Sequence, residues 1–308
     1  MLWHDDRIVT AVVFLLVPGV HLLDLAGPAQ VFSTAAGMGL DYQLGYVAEQ
    51  PTVPTAQGLP VRADLDWPAL GPQDLVVVPG WSGDRLAGSA PLRSDTLDAL
   101  AAHHARGGTV ASVCAGADAL GRAGLLDGRR CTTHHEHQDE LARRYPRAHV
   151  ARDVLFTEDD RVVTSAGIAS GIDLALHLVA SRHGSAMAAR VARSMVVYAR
   201  RNGDAQQVST MLRHRAHLSD GVHRVQNLID TGFDRPMRLA DLAARAGVSE
   251  RTLTRVFTRA TGLTPLRYQQ ALRLEVAEQL IGQGMSIESA ARRVGFEDAR
   301  MLRRLRAR

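Results

Sequence analysis

TVASVCAGADAL, residues 109–120, is an apolar β-branched run followed directly by small helix-forming residues, the pattern of a buried strand turning sharply into a helix. The same alternation recurs on both sides of it. Upstream, DLVVVP (Asp74–Pro79) reads as another buried strand and Pro91–Arg106 as a helix. Ile8–Leu16 and Leu22–Ala36 form a further strand and helix, and Tyr42–Val47 alternates as a strand. Downstream, Arg161–Ser165 and Ile168–Arg182 repeat strand then helix. Such alternation covers both faces of a sheet with helices. The expected fold of this half is α/β, a doubly wound, flavodoxin-like, mostly parallel sheet. Ligands of these sheets sit beyond the carboxyl ends of the strands. A site is therefore expected in the loops after Leu16, Pro79, Val113 and Ser165.

Charge divides the chain. Its 308 residues carry a net charge of +4 with no lysine, so every fixed side-chain cation is arginine. Residues 1–180 hold 13 arginines against 21 acidic residues, whereas residues 181–308 hold 23 against 11. An acidic body with a basic tail points to a polyanion partner for the tail alone, a solvated basic face being the alternative. Around Ala199–Gln207 the sequence becomes polar, with a turn signal at Asn202-Gly203, and no strand pattern survives beyond it. The expected organisation is an α/β domain over 1–198, a linker over 199–217 and an all-α domain over 218–308.

Other compositional features narrow the class. The only cysteines, Cys114 and Cys131, form no CxxC pair, which argues against a disulfide framework or zinc knuckle. Ile8–Val17 is the longest apolar run; Thr10 interrupts it and Pro18 ends it, leaving it too short to span a bilayer. No basic-then-apolar leader opens the sequence, so a cytoplasmic location without membrane contact is expected. Nothing indicates a cofactor.

The tail contains an internal repeat at an offset of 48 residues. Leu239, Leu242, Ala243 and Ala246 lie at i, i+3, i+4 and i+7, as do Ile287, Ala290, Ala291 and Val294. A glycine follows each stripe, Gly247 or Gly295, and then a second helical segment. Leu253, Val256 and Phe257 mark that segment in one copy, and Met301, Leu302 and Leu305 in the other. Ser249 and Ser286 stand at helix-capping positions. Each copy is thus a helix-turn-helix, whose second helix enters a DNA major groove. Its outward residues are Arg251, Thr252 and Arg255 in the first copy and Arg300, Arg303 and Arg304 in the second. Arginine binds guanine bidentately or clamps phosphates, so double-stranded DNA is the expected partner. Pro265 to about Ile281 reads as one long connecting helix that holds both reading helices on one side of a duplex.

In the first half, Cys114 occupies the sharp strand-to-helix turn. Helix amides beneath it favour the thiolate, which suits a nucleophile or a polar-ligand site; a buried apolar cysteine is the alternative. Asp24, after the first strand, reaches the same crevice or merely begins a helix. Gly80 and Ser165 stand at neighbouring strand ends, and Ala115 directly after the cysteine. In THHEH, His134, His135 and His137 raise the question of metal, but no second cluster has zinc-ligand spacing, so no metal site is expected.

Two resemblances join these observations. LADLAARAGVSERTLTRVFTRATGLTP (239–265) and SIESAARRVGFEDARMLRRL (286–305) resemble the two units of the AraC/XylS-type DNA-binding domain. That family continues past its second reading helix into a closing helix, after a turn matched in the first unit by Gly262 and Pro265. The resemblance therefore implies a second unit lacking this helix. LLDLAGPAQVF (22–32), VVVPG (76–80), SVCAGADALGRAGLLDGRRCTTHH (112–135) and VVTSAGIASGIDLALHLV (162–179) resemble the glutamine amidotransferase-like superfamily with the PfpI-type and isonitrile hydratase groups. There the cysteine, a histidine at the place of His134 and an acid near Asp24 line one pocket.

The whole chain resembles the GlxA-type regulators. This implies a transcription regulator with no catalytic residues, sensing an unknown small-molecule effector, an amino acid or amine-like metabolite, and a homodimer formed through the first domain. Ala115 stands where the superfamily often has a hydroxyl residue, and His135 where it commonly has tryptophan, both of which weaken a catalytic role. The alternative is a cysteine-dependent hydrolase or hydratase with an accessory tail, with Cys114 as nucleophile and His134 as base. An oxidation sensor at Cys114 is a third reading.

Overall fold

The structure, a computed structural model, describes residues 9–83, 92–197, 201–207, 209–282 and 284–307. It divides into two compact units, residues 1–207 and 208–308. Ile8, Pro91, residues 198–200 and Arg308, which fall at edges of the expected elements and domains, lie outside the described residues.

In the first unit, strand β1 (Thr10–Leu16) leads to helix α1 (Leu22–Gly37) and β2 (Tyr42–Ala48). A two-stranded ladder of β3 (Thr52–Val53) and β4 (Val61–Arg62) follows, then β5 (Leu75–Val78), α2 (Ser94–Ala105) and β6 (Thr109–Val113). A 3-10 turn over Cys114–Gly116 passes into α3 (Ala117–Arg122). Next come β7 (Arg130–Cys131), a second 3-10 turn (His135–His137), α4 (Gln138–Arg144) and β8 (His149–Val150), with β7 and β8 paired. The unit continues through β9 (Phe156–Asp159), β10 (Val162–Ser165), α5 (Ser170–His183) and α6 (Ser185–Ser194). The main sheet has the order β2-β1-β5-β6-β10-β9, parallel throughout except for β9 at the edge. The parallel strands thus have the flavodoxin-like order, with its switch point between β1 and β5. Val12–Val17, Leu75–Val78 and Val110–Val113 are buried, as strands covered on both faces require.

The expected linker is divided between the units. Arg201 binds Asp173 through its backbone and guanidinium, and the carbonyls of Gly203 and Ala205 accept from the Leu155 amide. These contacts fix residues 201–207 to the first unit. Helix α7 (Thr210–Arg213) instead packs on the second unit, where the Thr210 amide donates to Glu275 and Arg215 pairs with Asp230. The polar composition here reflects hydrogen bonding to each unit.

The second unit is helical: α8 (Asp220–Thr231), α9 (Leu239–Ala246), α10 (Glu250–Thr261), α11 (Pro265–Gly282), α12 (Ile287–Arg293) and α13 (Ala299–Arg306). Helices α9–α10 and α12–α13 are the two expected helix-turn-helix units. Gly247 (φ 67°) and Gly295 (φ 85°) sit in the left-handed region that their turns require. Ser249 and Ser286 cap α10 and α12 by accepting from the amides of Thr252 and Ser289. The connecting helix serves two cores. Tyr268 and Leu272 pack with Leu242, Leu253 and Phe257, and Ala277 packs with Ala290, Ala291, Val294, Phe296 and Leu302. Arg273 on α11 donates to the carbonyls of Phe233, Arg235 and Gly295, tying one side of both cores to one guanidinium. Among the described residues, no helix is long and apolar enough to cross a membrane.

The repeat slips by one residue at its turn. Gly247-Val248-Ser249 leads to α10, but Gly295-Phe296-Glu297-Asp298 leads to α13, with Asp298 accepting from the Arg300 amide as its cap. Beyond the turn the offset is 49 rather than 48. The buried Leu253 therefore matches the buried Leu302, not Met301. Val256 and Met301, expected on the apolar stripes, are 38% and 39% exposed. Arg251 and Arg255 match Arg300 and Arg304, the second and sixth residues of their helices.

Candidate functional site

Three strand ends converge in the first unit. The His21 amide donates to the Gly80 carbonyl, drawing the start of α1 to the end of β5 and bringing Asp24 inside. A Cβ on Gly80 would lie 2.5 Å from Asp24 Oδ2 and 2.7 Å from Cys114 Cβ, so only glycine permits this approach. Asp24 is fully buried, and its Oδ1 accepts from the Ile168 amide at 2.6 Å. Cys114 and Ile168 have φ of 55° and 48°. For a β-branched residue that conformation is costly, about 1–3 kcal/mol, and such strain gathers at functional sites.

A partly open cavity of about 510 Å³ lies above this point. Cys114, Ile168 and His134 line it together with Trp81, Gly83 and the imidazoles of His21 and His137, and it carries the carboxylates of Glu136 and Glu140. Its volume suits a small metabolite. Of the expected pocket residues, Cys114 and His134 face the cavity. Asp24 and Gly80 support Cys114 from below, and the buried Ala115 adjoins the thiol through its backbone amide. Ser165 is elsewhere: it is fully buried and donates to the Ser112 carbonyl. Trp81, His21 and Glu140 had no local signal, since each joins the cavity through the fold. Glu136 and His137 lay within the singled-out motif THHEH, and Ile168 within the stretch 162–179.

The electrostatics correct one expectation. The Cys114 thiol is pushed up to about 12, chiefly by burial and then by the Asp24 charge, against which the Ala115 amide works in the lowering direction. The turn's amides therefore do not yield a thiolate. Burial likewise raises the Asp24 carboxyl, opposed by the Ile168 amide, and lowers His134, helped by His135. All three groups are driven toward their neutral forms. Among the described residues, no hydrogen bond joins Cys114 to His134.

The second unit presents a contrasting surface. Arg251, Arg255, Arg300, Arg303 and Arg304 are all exposed, and Thr252 is half-buried against the Ser249 hydroxyl. On α10, Arg251, Thr254, Arg255, Thr258 and Arg259 flank an open groove of about 690 Å³. On α13, Arg300 lies 3.4 Å from Asp298, and Arg303 is paired with Glu288 of α12. Arg306 reaches Glu278 of α11 at 2.7 Å.

Residues 10–181 match the model of the DJ-1/PfpI family, and residues 242–308 match that of a helix-turn-helix domain. The chain belongs to the DJ-1/PfpI family. Among its relatives, the HTH-type transcriptional regulator CdhR of Pseudomonas aeruginosa is 30% identical over 291 residues, 92% of this chain and 84% of that protein. The HTH-type transcriptional regulator GlxA of Rhizobium meliloti is 29% identical over 304 residues, 95% and 90% of the two chains. Isonitrile hydratase of Pseudomonas putida is 36% identical over 168 residues, 54% of this chain and 68% of that enzyme. The DJ-1/PfpI family thus includes an enzyme, whereas CdhR and GlxA, each matched over nearly the whole chain, are regulators.

Proposed function

We propose that this DJ-1/PfpI-family chain is a one-component, AraC-type transcription regulator that binds specific double-stranded DNA and senses a small metabolite. The observation that carries this reading is the pair of capped helices α10 and α13. Each displays arginines at its second and sixth positions, and both are mounted on α11. Guanidinium groups on a helix surface read guanine in the major groove and neutralise phosphates. The test is selection of duplexes from a random pool, followed by footprinting. Protection in two major-groove segments about one helical turn apart is expected. Failure to enrich any duplex overturns the reading.

The first unit acts as the sensor. Trp81, Glu136 and Glu140 around one cavity favour a metabolite with an amine-like or other cationic group, held by an aromatic face and carboxylates. The ligand acts by binding two arrangements of the regulator unequally. We take the chain to be cytoplasmic and to form a homodimer through its first unit, which sedimentation at micromolar concentration tests.

Kinship with isonitrile hydratase favours a second reading, a cysteine-dependent hydratase. Against it stands the thiol at about 12, which leaves only about one thiolate in 10⁵ at pH 7. Turnover of an isonitrile, lost in Cys114→Ser, would establish the second reading.

A further inference from the structure

We infer that Gln207 is a positioning residue that couples the pocket wall to the helical unit; this rests on reading the cavity as an effector site. Three links compose the path. His134 and its 3-10 turn follow directly on Thr132 and Thr133, both fully buried. Thr133 donates through Oγ1 to the Cys114 carbonyl at 2.7 Å, so it is bonded to the cavity's thiol residue as well as adjoining its histidine wall. The Thr133 carbonyl then accepts from Gln207 Nε2 at 2.9 Å.

The Gln207 side chain is further fixed by donation to the Val154 carbonyl at 3.0 Å, and its backbone amide donates to Asp153 Oδ1 at 3.1 Å. Gln207 is the last residue of the first unit, and the chain enters the second at residue 208. A displacement of the wall on ligand entry therefore acts on the attachment of this last residue, without crossing the sheet. The preceding segment is tied down independently, by Arg201 on Asp173 and by the Gly203 and Ala205 carbonyls on Leu155. Release of Gln207 consequently frees the end of the tether while its root stays in place. Docked and released amide are the two states that the effector would bias.

The test uses the full chain with excess iodoacetamide as a covalent occupant of the cavity, incubated at mildly alkaline pH for as long as the raised thiol requires, mass spectrometry verifying Cys114 as the modified thiol. Hydrogen exchange over residues 201–207 and affinity for a duplex selected by the unmodified wild type are measured in wild type, Gln207→Ala and Gln207→Glu. Glutamate preserves the size of the side chain but replaces its donors with carboxylate oxygens. In wild type, carboxamidomethylation is expected to accelerate exchange at the Gln207 end of 201–207, leaving the Arg201 end unchanged, and to shift duplex affinity, each at least threefold. In both variants that exchange is fast beforehand, and modification leaves affinity unchanged. Should Gln207→Ala fail to fold, Gln207→Glu decides. An equal affinity shift in wild type and variant overturns the coupling role, as does unaltered 201–207 exchange in modified wild type. If no duplex can be selected, the proposed regulator function fails, while the exchange measurement still decides whether Gln207 responds to the pocket.

Discussion

The cavity of the first unit and the arginine face of the second use charge in opposite ways. Around Cys114, burial drives thiol, carboxyl and imidazole toward neutrality, and the carboxylates Glu136 and Glu140 line the same cavity. On α10 and α13 the guanidinium groups remain at the surface, above small apolar cores. A concave site discriminates among small molecules by shape and by a few placed polar groups. An exposed cationic helix suits a polyanion, whose affinity comes largely from displaced counterions. The contrast sets a candidate small-molecule cavity in the first unit against a cationic helix face in the second.

The contrast can be broken most forcefully at Phe257, which is fully buried in the first helical core. Phe257→Ala is expected to cost about 3–5 kcal/mol by cavity formation. Urea unfolding of the second unit should shift accordingly and duplex binding should be lost, while the alkylation profile of Cys114 stays unchanged. A changed alkylation profile would show that the first unit depends on the second for its fold.

Surface chemistry comes next. Arg255→Ala and Arg304→Ala occupy matched positions, and each is expected to weaken specific binding by about 1–3 kcal/mol in gel-shift titrations. A large effect at one and none at the other would contradict the 49-residue register.

Within the cavity, Asp24→Asn sharpens the comparison. Its carboxyl is raised from 3.8 in the fold, so the folded state holds a proton that the unfolded chain releases. That contribution is fully present below 3.8 and is lost as pH rises through the folded-state value. Wild type should therefore lose stability relative to Asp24→Asn as pH rises from about 4, in paired urea titrations. A constant difference between the two proteins would show that Asp24 is not held protonated. The smallest effect belongs to Glu288→Gln. Its ion pair with Arg303 is roughly half exposed, so the melting shift should correspond to less than about 1 kcal/mol.

Much of the fold was legible because buried parallel strands advertise themselves as unbroken apolar runs, as LVVV and TVASV do. Strand β9, FTED, was not: it is an antiparallel edge strand with two charged residues and no such run. Helix caps and the connecting helix followed from local chemistry, whereas the added residue before Asp298 shifted the second reading helix in a way that glycine spacing concealed. Cys114 and His134 were readable from motifs at strand ends. The ionisation of the thiol was not, because local amides are visible in sequence while burial and a carboxylate 90 residues away are not. Glu140 and Trp81 reach the cavity by tertiary folding alone.

The account depends most on the paired arginine helices engaging a duplex, and fluorescence anisotropy across a salt series measures that engagement directly. With six to ten phosphates neutralised, affinity for a selected duplex should fall by about 10³–10⁵ between 50 and 200 mM salt, and the slope should lessen in Arg304→Ala. Absence of binding, or binding insensitive to salt, would contradict it.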